Sequence, residues 1–182
     1  MIDTDPLHLH QLVRPLRAEL LAQAARYGLV VRGAETYRDE SAQAVAWAKG
    51  RDEAGEVIDR SAVVTRSRPG QSWHGVKLRD GSPASFAFHV EIRRPAGVLG
   101  YGAPPGPGDP IDEVGVLIYR ALGKLGERLG LRWGGNWDRD DAPLEKGEND
   151  LTHFEFHPNG ATLLQAVAAL KAGHDLFAAR TA

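Results

Sequence analysis

The residues best suited to chemistry lie in three separated segments, and each segment contributes a histidine. His74 follows a Pro-Gly turn near the middle of the chain, His89 lies within an apolar run, and His153 comes three residues after Asp150. A catalytic zinc site needs three protein ligands, an open position for water and a general base, and neutral imidazole is a common zinc ligand. The three imidazoles and the Asp150 carboxylate could supply these parts, so the set is a candidate metal-dependent hydrolytic site.

Each of these residues also has an ordinary structural interpretation. A loop histidine such as His74 is more often solvated than bound to a metal, and Asp150, directly after an asparagine, could be a turn or capping residue. His89 must lie on the solvated face of a strand or find a polar partner, which could be a metal or an ordinary hydrogen bond in the core. Arg38, at the end of a predicted strand, could form a surface ion pair or stabilise an oxyanion. The residue types alone leave these alternatives open.

The segment around His153 has the alternation of a short strand. With a two-residue period, His153, Glu155 and His157 share one face, and the intervening phenylalanines face the other way. The ordinary interpretation is a half-buried strand whose polar residues face solvent. The alternative is that this polar face belongs to the candidate site.

The composition excludes several classes of protein and site. There is no cysteine among the 182 residues, so disulfide scaffolds and thiol nucleophiles are excluded, and a metal site must use histidine and carboxylate. A net charge of −2, without a basic run, gives no electrostatic footprint for nucleic acid, and none is expected as a partner. The N-terminal residues lack the apolar stretch of a secretory signal, and no apolar run reaches the roughly 18 residues of a membrane-spanning helix. We therefore expect a chain that is made in the cytoplasm without a signal peptide.

The elements that must position these residues are predicted from hydrophobic periodicity and from glycine stops. Helices are predicted over residues 8–27, 41–49, 112–129 and 161–170, followed by Gly28, Gly50, Gly130 and Gly173. Strands are predicted over residues 29–31, 63–65, 86–92 and 152–156, and a Gly- and Pro-rich loop over residues 95–110. Short strands mixed with helices indicate a small α+β fold, and residues 1–182 are expected to form a single domain.

In their order along the chain, these segments resemble the M15 family of zinc peptidases, especially its phage-endolysin and L-alanyl-D-glutamate peptidase branch. The resemblance covers roughly residues 8–172 and is specific, because several separated motifs follow the family's order. Those motifs are Tyr37-Arg38, Gln43, Gly50-Arg51, the Pro-Gly-x-Ser-x-His segment at 69–74, the Gly-Leu-x-Trp-Gly-Gly-x-Trp segment at 130–137 and the Asp-x-x-His-Phe-Glu segment at 150–155.

The resemblance implies a fold, a cofactor and a role for each matched residue. The fold would be that of D-alanyl-D-alanine carboxypeptidase-like domains, a small α+β domain in which a short, mostly antiparallel sheet packs against helices. The cofactor would be Zn²⁺, with His74 and His153 as ligands and Asp150 as the catalytic base. Arg38 would stabilise the oxyanion, and Glu155 would hold a ligand or the fold from outside the ligand shell.

The chain departs from the family at the middle metal ligand. The family has an aspartate in an Ala-x-Asp motif, whereas Ala87 and Phe88 are followed here by His89. Residues 77–83 form an apparent insertion, and Asp80 within it could supply a carboxylate instead. We expect His89 to be the third ligand, because it keeps the strand context of the motif and imidazole is a normal zinc ligand.

The function implied by the resemblance is hydrolysis of peptidoglycan stem peptides at the L-Ala–D-Glu bond by an endolysin-type zinc peptidase. A D-Ala–D-Ala carboxypeptidase is the alternative within the same class. A non-catalytic cell-wall-binding domain with a degenerate metal site is the alternative from another class, although a retired site would need no base such as Asp150 beside His153. The expected partner is the stem peptide, the expected state is a monomer, and the expected place of action is the cell wall after phage-type release.

Overall fold

The computed structural model describes residues 3–93, 113–140 and 150–174, and in these ranges four helices accompany a four-stranded sheet. The helices are α1 (Val13–Arg26), α2 (Glu40–Ala48), α3 (Glu113–Arg128) and α4 (Leu163–Ala172). The strands are β1 (Val30–Gly33), β2 (Ala87–Arg93), β3 (Arg132–Trp133) and β4 (His153–Glu155). The predicted α+β class is confirmed. None of the helices in the described ranges is long and apolar enough to cross a membrane.

The described strands pair antiparallel throughout, in the order β1-β2-β4-β3. In the β2–β4 pair, Phe88 lies opposite Phe154 and His89 lies opposite His153. Residues directly opposite each other point to the same side of an antiparallel sheet, and successive residues point to opposite sides. One face of the sheet therefore carries the phenylalanines, and the other carries both histidines.

The apolar face of the sheet forms the core with α1 and α3. Phe88 and Phe154 are fully buried there, with their ring centroids 5.7 Å apart, and burial of each side chain contributes roughly 1.5–3 kcal/mol. Gly126 of α3 lies so close to the sheet that a Cβ atom on it would stand 2.4 Å from the Phe154 ring. The absence of a side chain at Gly126 thus lets the helix approach the sheet directly behind the strand that carries His153.

The predicted glycine stop of α1 is confirmed, and a side-chain cap marks the start of α2. Gly28 follows α1 with a φ of +74°, in the left-handed region that favours glycine. The Asp39 side chain caps α2 by accepting the Ala42 N–H at 2.7 Å. The prediction that the first helix begins at residue 8 is wrong, because Pro6–His8 form a separate 3-10 turn before α1 begins at Val13.

The predicted strand at residues 63–65 is also wrong. This segment pairs with none of the described strands, and side chains and local turns bind its polar groups instead. Arg51 donates to the Thr65 carbonyl at 3.0 Å, and the Thr65 hydroxyl accepts the Ser67 N–H at 3.2 Å. β-branched residues suit an extended backbone, but a strand also requires a neighbour with which to pair.

Smaller differences concern the lengths of short strands. Residues 132–133 form β3, which is too short to show a period in the sequence. The strand predicted over residues 152–156 is limited to β4, and the one predicted over 29–31 begins one residue later as β1. The loop predicted over residues 95–110 lies outside the described residues.

Candidate metal centre

Three histidine nitrogens meet on the polar face of the sheet. His74 Nε2 lies 3.4 Å from His153 Nδ1, and the same Nδ1 atom lies 3.4 Å from His89 Nε2. One ligand atom from each ring lies within 4.8 Å of the others. A tetrahedral zinc ion with Zn–N bonds of about 2.0–2.1 Å holds its nitrogen ligands about 3.3–3.4 Å apart. The donor atoms and their spacing therefore fit zinc.

A 3-10 turn, Trp73–Gly75, presents His74 to the sheet. The Ser72 hydroxyl caps this turn by accepting the His74 N–H at 3.2 Å, and the His74 carbonyl accepts the Arg38 N–H at 3.2 Å. Only 3% of His74 is exposed. The Pro-Gly-x-Ser-x-His segment thus delivers a fixed, buried imidazole, and the interpretation of His74 as a solvated loop residue does not hold.

Burial keeps two of the three imidazoles neutral. It lowers the pKa of His74 well below the ordinary value, and the neighbouring histidines and Arg38 lower this pKa further. Burial likewise lowers the pKa of His89 to about 4, although the carboxylates of Asp150 and Glu35 act in the opposite direction. Neutral imidazole is the form that binds a metal ion. Both rings can therefore act as ligands near neutral pH.

Glu155 contacts His153 on the ring edge that faces away from the cluster. Its Oε2 lies 3.1 Å from His153 Nε2, and its Oε1 lies 2.6 Å from His157 Nε2. Burial alone would raise the pKa of Glu155, but the hydrogen bonds from both histidines outweigh burial and bring this pKa to about 2. Burial also disfavours a charged His153 ring, but Glu155 and Asp150 outweigh it and raise the pKa of His153. A proton held on Nε2 leaves the Nδ1 lone pair of His153 free for a metal.

Asp150 lies on an exposed side of the cluster. Its Oδ2 is 3.9 Å from His153 Nδ1, its Oδ1 is 3.9 Å from His89 Nδ1, and 42% of its side chain is exposed. The Thr152 hydroxyl donates to the same Oδ1 at 3.4 Å. The carboxylate therefore stands beside the ligands and in contact with solvent, where a base could reach a water molecule.

Gly134 sets the position of Asp150. The Asp150 N–H donates to the Gly134 carbonyl at 3.3 Å, and the Gly134 N–H donates to the His153 carbonyl at 3.0 Å. A Cβ atom at Gly134 would stand 2.3 Å from the Asp150 carbonyl oxygen, so any side chain there would displace this backbone. The Trp-Gly-Gly-x-Trp segment thereby allows the close approach that places Asp150 next to β4.

Arg38 lies near the cluster, and the side chains of Glu35 and Gln43 accept hydrogen bonds from its guanidinium. Its Nε donates to Glu35 Oε1 at 2.8 Å, its Nη2 donates to Glu35 Oε2, and its Nη1 donates to Gln43 Oε1 at 3.2 Å. A guanidinium has five N–H donors, so Arg38 keeps N–H groups that could reach a substrate oxygen. The structure thus places Arg38 in a partly buried ion pair and leaves it able to take the role expected from the sequence.

Two residues compete for the third ligand position, and the structure places only one of them in the cluster. His89 faces His153 across the β2–β4 pair. Asp80 lies in an exposed turn, where it accepts the Ser82 N–H at 2.9 Å and the Ser82 hydroxyl at 2.6 Å. Among the described residues, the group of side chains that could hold a metal ion is His74, His89 and His153.

Sequence reasoning gave no site role to two residues that contact the ligands, Glu35 and Thr152, or to His157, which contacts Glu155. Glu35 Oε2 lies 3.8 Å from His89 Nε2, and the Thr152 hydroxyl lies 2.8 Å from His89 Nδ1. The alternation of β4 did place His157 on the correct face, but it gave no reason to connect His157 with Glu155. A single Glu, Thr or His beside a motif follows no spacing rule, so these contacts become visible only in the folded chain.

Comparison with known proteins yields a likeness in structure alone. The chain matches no family model and has no sequence match among the curated proteins. It aligns with the LdcB LD-carboxypeptidase, whose structure reveals the molecular basis of peptidoglycan recognition, over 92% of this chain and 66% of that one, with a TM-score of 0.50 and 13% identity. The fold expected from the M15 resemblance is confirmed.

A second solved structure is that of a variant of the vancomycin resistance D,D-pentapeptidase VanY from a VanB-type resistance cassette, in complex with Zn(II). It aligns over 92% of this chain and 81% of that one, with a TM-score of 0.48 and 18% identity. At these identities the likenesses concern the fold, so the chemistry of this chain must be argued from its own residues.

Proposed function

We propose that this protein is a zinc-dependent peptidase that hydrolyses peptidoglycan stem peptides, with the L-Ala–D-Glu bond as its substrate. The observation that carries the proposal is the histidine cluster, in which neighbouring ligand nitrogens stand 3.4 Å apart and the exposed Asp150 carboxylate faces them. Three ligands leave the fourth position of a tetrahedral ion open, as in catalytic rather than structural zinc sites. The fold shared with an LD-carboxypeptidase supports a peptidoglycan substrate.

Different residues of this chain have different roles in peptide hydrolysis. Zinc, when bound, supplies the Lewis acidity that polarises the scissile carbonyl and makes water more acidic. Asp150 accepts the proton of the attacking water and delivers it to the amine that leaves. Arg38 donates N–H groups to the oxygen on which negative charge develops. Glu155 keeps His153 in the tautomer that presents Nδ1 as the ligand.

A D-Ala–D-Ala carboxypeptidase is the second candidate. The likeness to LdcB, an LD-carboxypeptidase, favours removal of a terminal residue over cleavage within the stem. Both activities would use the same ligands, base and cation, and they differ in which bond of the stem lies beside Asp150. The substrate bond must therefore be identified from products.

Digestion of defined muropeptides separates the candidates. The zinc-loaded protein is incubated with muropeptides that carry complete stems, and the products are identified by mass spectrometry. Release of a peptide that begins at D-Glu identifies cleavage after L-Ala, whereas loss of a terminal D-Ala identifies a carboxypeptidase. A protein that binds peptidoglycan and cleaves neither bond would instead be a non-catalytic cell-wall-binding domain.

A matched pair of variants tests whether activity depends on zinc. His74→Ala should lose both bound zinc and activity, because it removes a buried ligand from the cluster. His174→Ala removes an exposed imidazole next to the end of α4 and should keep both. Zinc content after gel filtration and turnover of a muropeptide measure the two effects. A His74→Ala variant with full zinc and full activity would contradict the proposed function.

A further inference from the structure

Glu35 contacts both the metal ligand His89 and the cation Arg38, which have separate roles in the proposed function. Its carbonyl accepts the His89 N–H at 2.8 Å, so the backbone holds Glu35 against β2. Both of its carboxylate oxygens accept from Arg38, and Oε2 also lies 3.8 Å from His89 Nε2. The side chains of Glu35 and Arg38 are each 17% exposed, so solvent ions screen their charges only weakly.

A fixed cation beside three neutral ligands opposes the binding of a dication. Arg38 lies close to the cluster: its backbone N–H donates to the His74 carbonyl at 3.2 Å, and its Nη2 donates to Glu35 Oε2, an oxygen that lies 3.8 Å from His89 Nε2. Imidazole ligands bring no negative charge to compensate, whereas an aspartate ligand would. The Glu35 carboxylate contacts both the Arg38 guanidinium and His89, and its charge is opposite to that of Arg38. Its carboxylate therefore offsets the repulsion at the position where a metal would bind.

The contact between Glu35 and Arg38 also fixes the direction of the guanidinium. Two parallel N–H···O bonds to one carboxylate define the plane of the guanidinium group. Gln43 accepts from a third nitrogen at 3.2 Å, and Gln43 is itself anchored by its bond to the Ser67 carbonyl at 2.6 Å. Glu35 and Gln43 together therefore fix the orientation of the N–H groups of Arg38 that remain.

We propose that Glu35 is a positioning residue with two effects: it aims Arg38, and it supplies the negative charge that lets a three-histidine site retain zinc beside that cation. This inference rests on the proposed function, since it takes the cluster as a zinc site. It also explains how the chain could use His89 as a ligand at the position where the M15 motif has an aspartate. Glu35, which is not itself a ligand, supplies the negative charge that an aspartate ligand would have brought.

Zinc affinity, measured by competition with a chromophoric chelator, tests the charge effect independently of activity. Glu35→Gln keeps the shape of the side chain and removes its charge. We expect it to weaken zinc binding by about 10- to 100-fold, the range seen when outer partners of metal ligands are lost. Arg38→Gln should bind zinc at least as tightly as the wild type. In the double variant, affinity should return to within about threefold of that of the wild type, because the cation and the charge that offsets it are removed together.

The aiming effect is measured on zinc-saturated protein. Glu35→Gln should lower kcat with little change in KM, because an oxyanion contact forms mainly in the transition state. Glu19→Gln is the control, since Glu19 lies on α1, which packs against the apolar face of the sheet, and its carboxylate accepts from Gln23 at 2.9 Å. This control should leave zinc affinity and kcat unchanged.

The outcomes distinguish the role of Glu35 from the proposed function. Unchanged zinc affinity in Glu35→Gln, or a double variant as weak as Glu35→Gln, overturns the role of Glu35. A wild-type protein that binds no zinc overturns the proposed function instead. If Glu35→Gln does not fold, Glu35→Asp retains the charge and should bind zinc within about tenfold of the wild type. A folded Glu35→Asp variant that has lost zinc more severely than this also overturns the proposal.

Discussion

Asp150 and Glu155 are two carboxylates that contact the same histidine with different consequences. Glu155 is buried and keeps its charge through hydrogen bonds from His153 and His157, so its pKa falls to about 2. Asp150 is 42% exposed and stands 3.9 Å from His153 Nδ1. A permanently charged and enclosed carboxylate suits the orientation of a ligand. An exposed carboxylate next to the ligand nitrogens suits the exchange of a proton with water and substrate.

Asp150→Asn should separate these two roles. Asparagine keeps the shape and removes the basicity, so we expect zinc content and the unfolding temperature to stay at wild-type values. Turnover of a muropeptide should fall by roughly 100-fold or more, the usual scale for loss of a general base. Glu155→Gln provides the contrast, because it should weaken zinc binding as well. Near wild-type turnover in Asp150→Asn would remove this residue from the mechanism.

The identity of the third ligand is tested by two alanine variants. His89→Ala should lose zinc, because it removes one of the three clustered nitrogens. Asp80→Ala should retain zinc, because the Asp80 carboxylate is bound within its own exposed turn. Zinc content after dialysis measures both. The reverse result would mean that the insertion at residues 77–83 carries the third ligand.

At the scale of elements, local patterns were predictable and pairings were not. Strand alternation is a property of consecutive residues, so the sequence correctly placed His153 and Glu155 on one face. The register that sets His89 opposite His153 depends on which residues of two distant strands share the core. Phe88 and Phe154 decide that register by packing together on the apolar face. No single-strand pattern in the sequence contains this information.

The approach of α3 to the sheet should depend on Gly126. Alanine would improve helix propensity by about 0.5–1 kcal/mol, but its Cβ would stand 2.4 Å from the fully buried Phe154 ring. Overpacking of this kind costs typically about 1–3 kcal/mol. We expect Gly126→Ala to lower the free energy of unfolding by about 1–2 kcal/mol in urea denaturation, because the ring has no room to move.

The control for this packing effect lies on the exposed side of the same helix. Leu117 is 62% exposed, so Leu117→Ala should change the free energy of unfolding by no more than about 0.5 kcal/mol. A Gly126→Ala variant as stable as the wild type would show that the helix can shift away from the sheet without cost. Zinc affinity should then be measured as well, since Phe154 and His153 are adjacent on β4.

For the molecule as a whole, the sequence predicted the fold class and most helices because glycine stops and apolar stripes are local signals. It failed at residues 63–65, where β-branched residues suggested a strand but Arg51 and Gln43 bind the segment instead. It identified the histidines through motif order, whereas the contacts of Glu35 arise only when distant segments meet. The parts that escaped prediction are those that depend on tertiary contact.

The closed cluster should make the zinc-free protein sensitive to acid. Burial lowers the pKa of His74 and His89 in the folded state, that of His89 to about 4, whereas an unfolded chain titrates near 6.5. Between pH 6.5 and 4 the unfolded state therefore binds more protons, and the free energy of unfolding falls as the pH falls. His153 acts in the opposite sense, because its raised pKa favours the folded state at low pH. The lowered pKa values of His74 and His89 outweigh the raised pKa of His153, so stability falls in acid. The lowered pKa of Glu155 adds a further loss of stability between pH 4.5 and 2.

We expect the urea midpoint of the zinc-free protein to fall as the pH is lowered from 6.5 to 4. Zinc and protons compete for the same nitrogens, so added zinc should protect the fold near neutral pH and lose its effect in this acidic range. His89→Gln should flatten the pH dependence, because glutamine does not titrate. His174→Ala should leave it unchanged, since that imidazole is exposed. A wild-type midpoint that stays constant over this range would mean that the clustered imidazoles are protonated in the folded protein, and such a cluster would not bind zinc until it had released those protons.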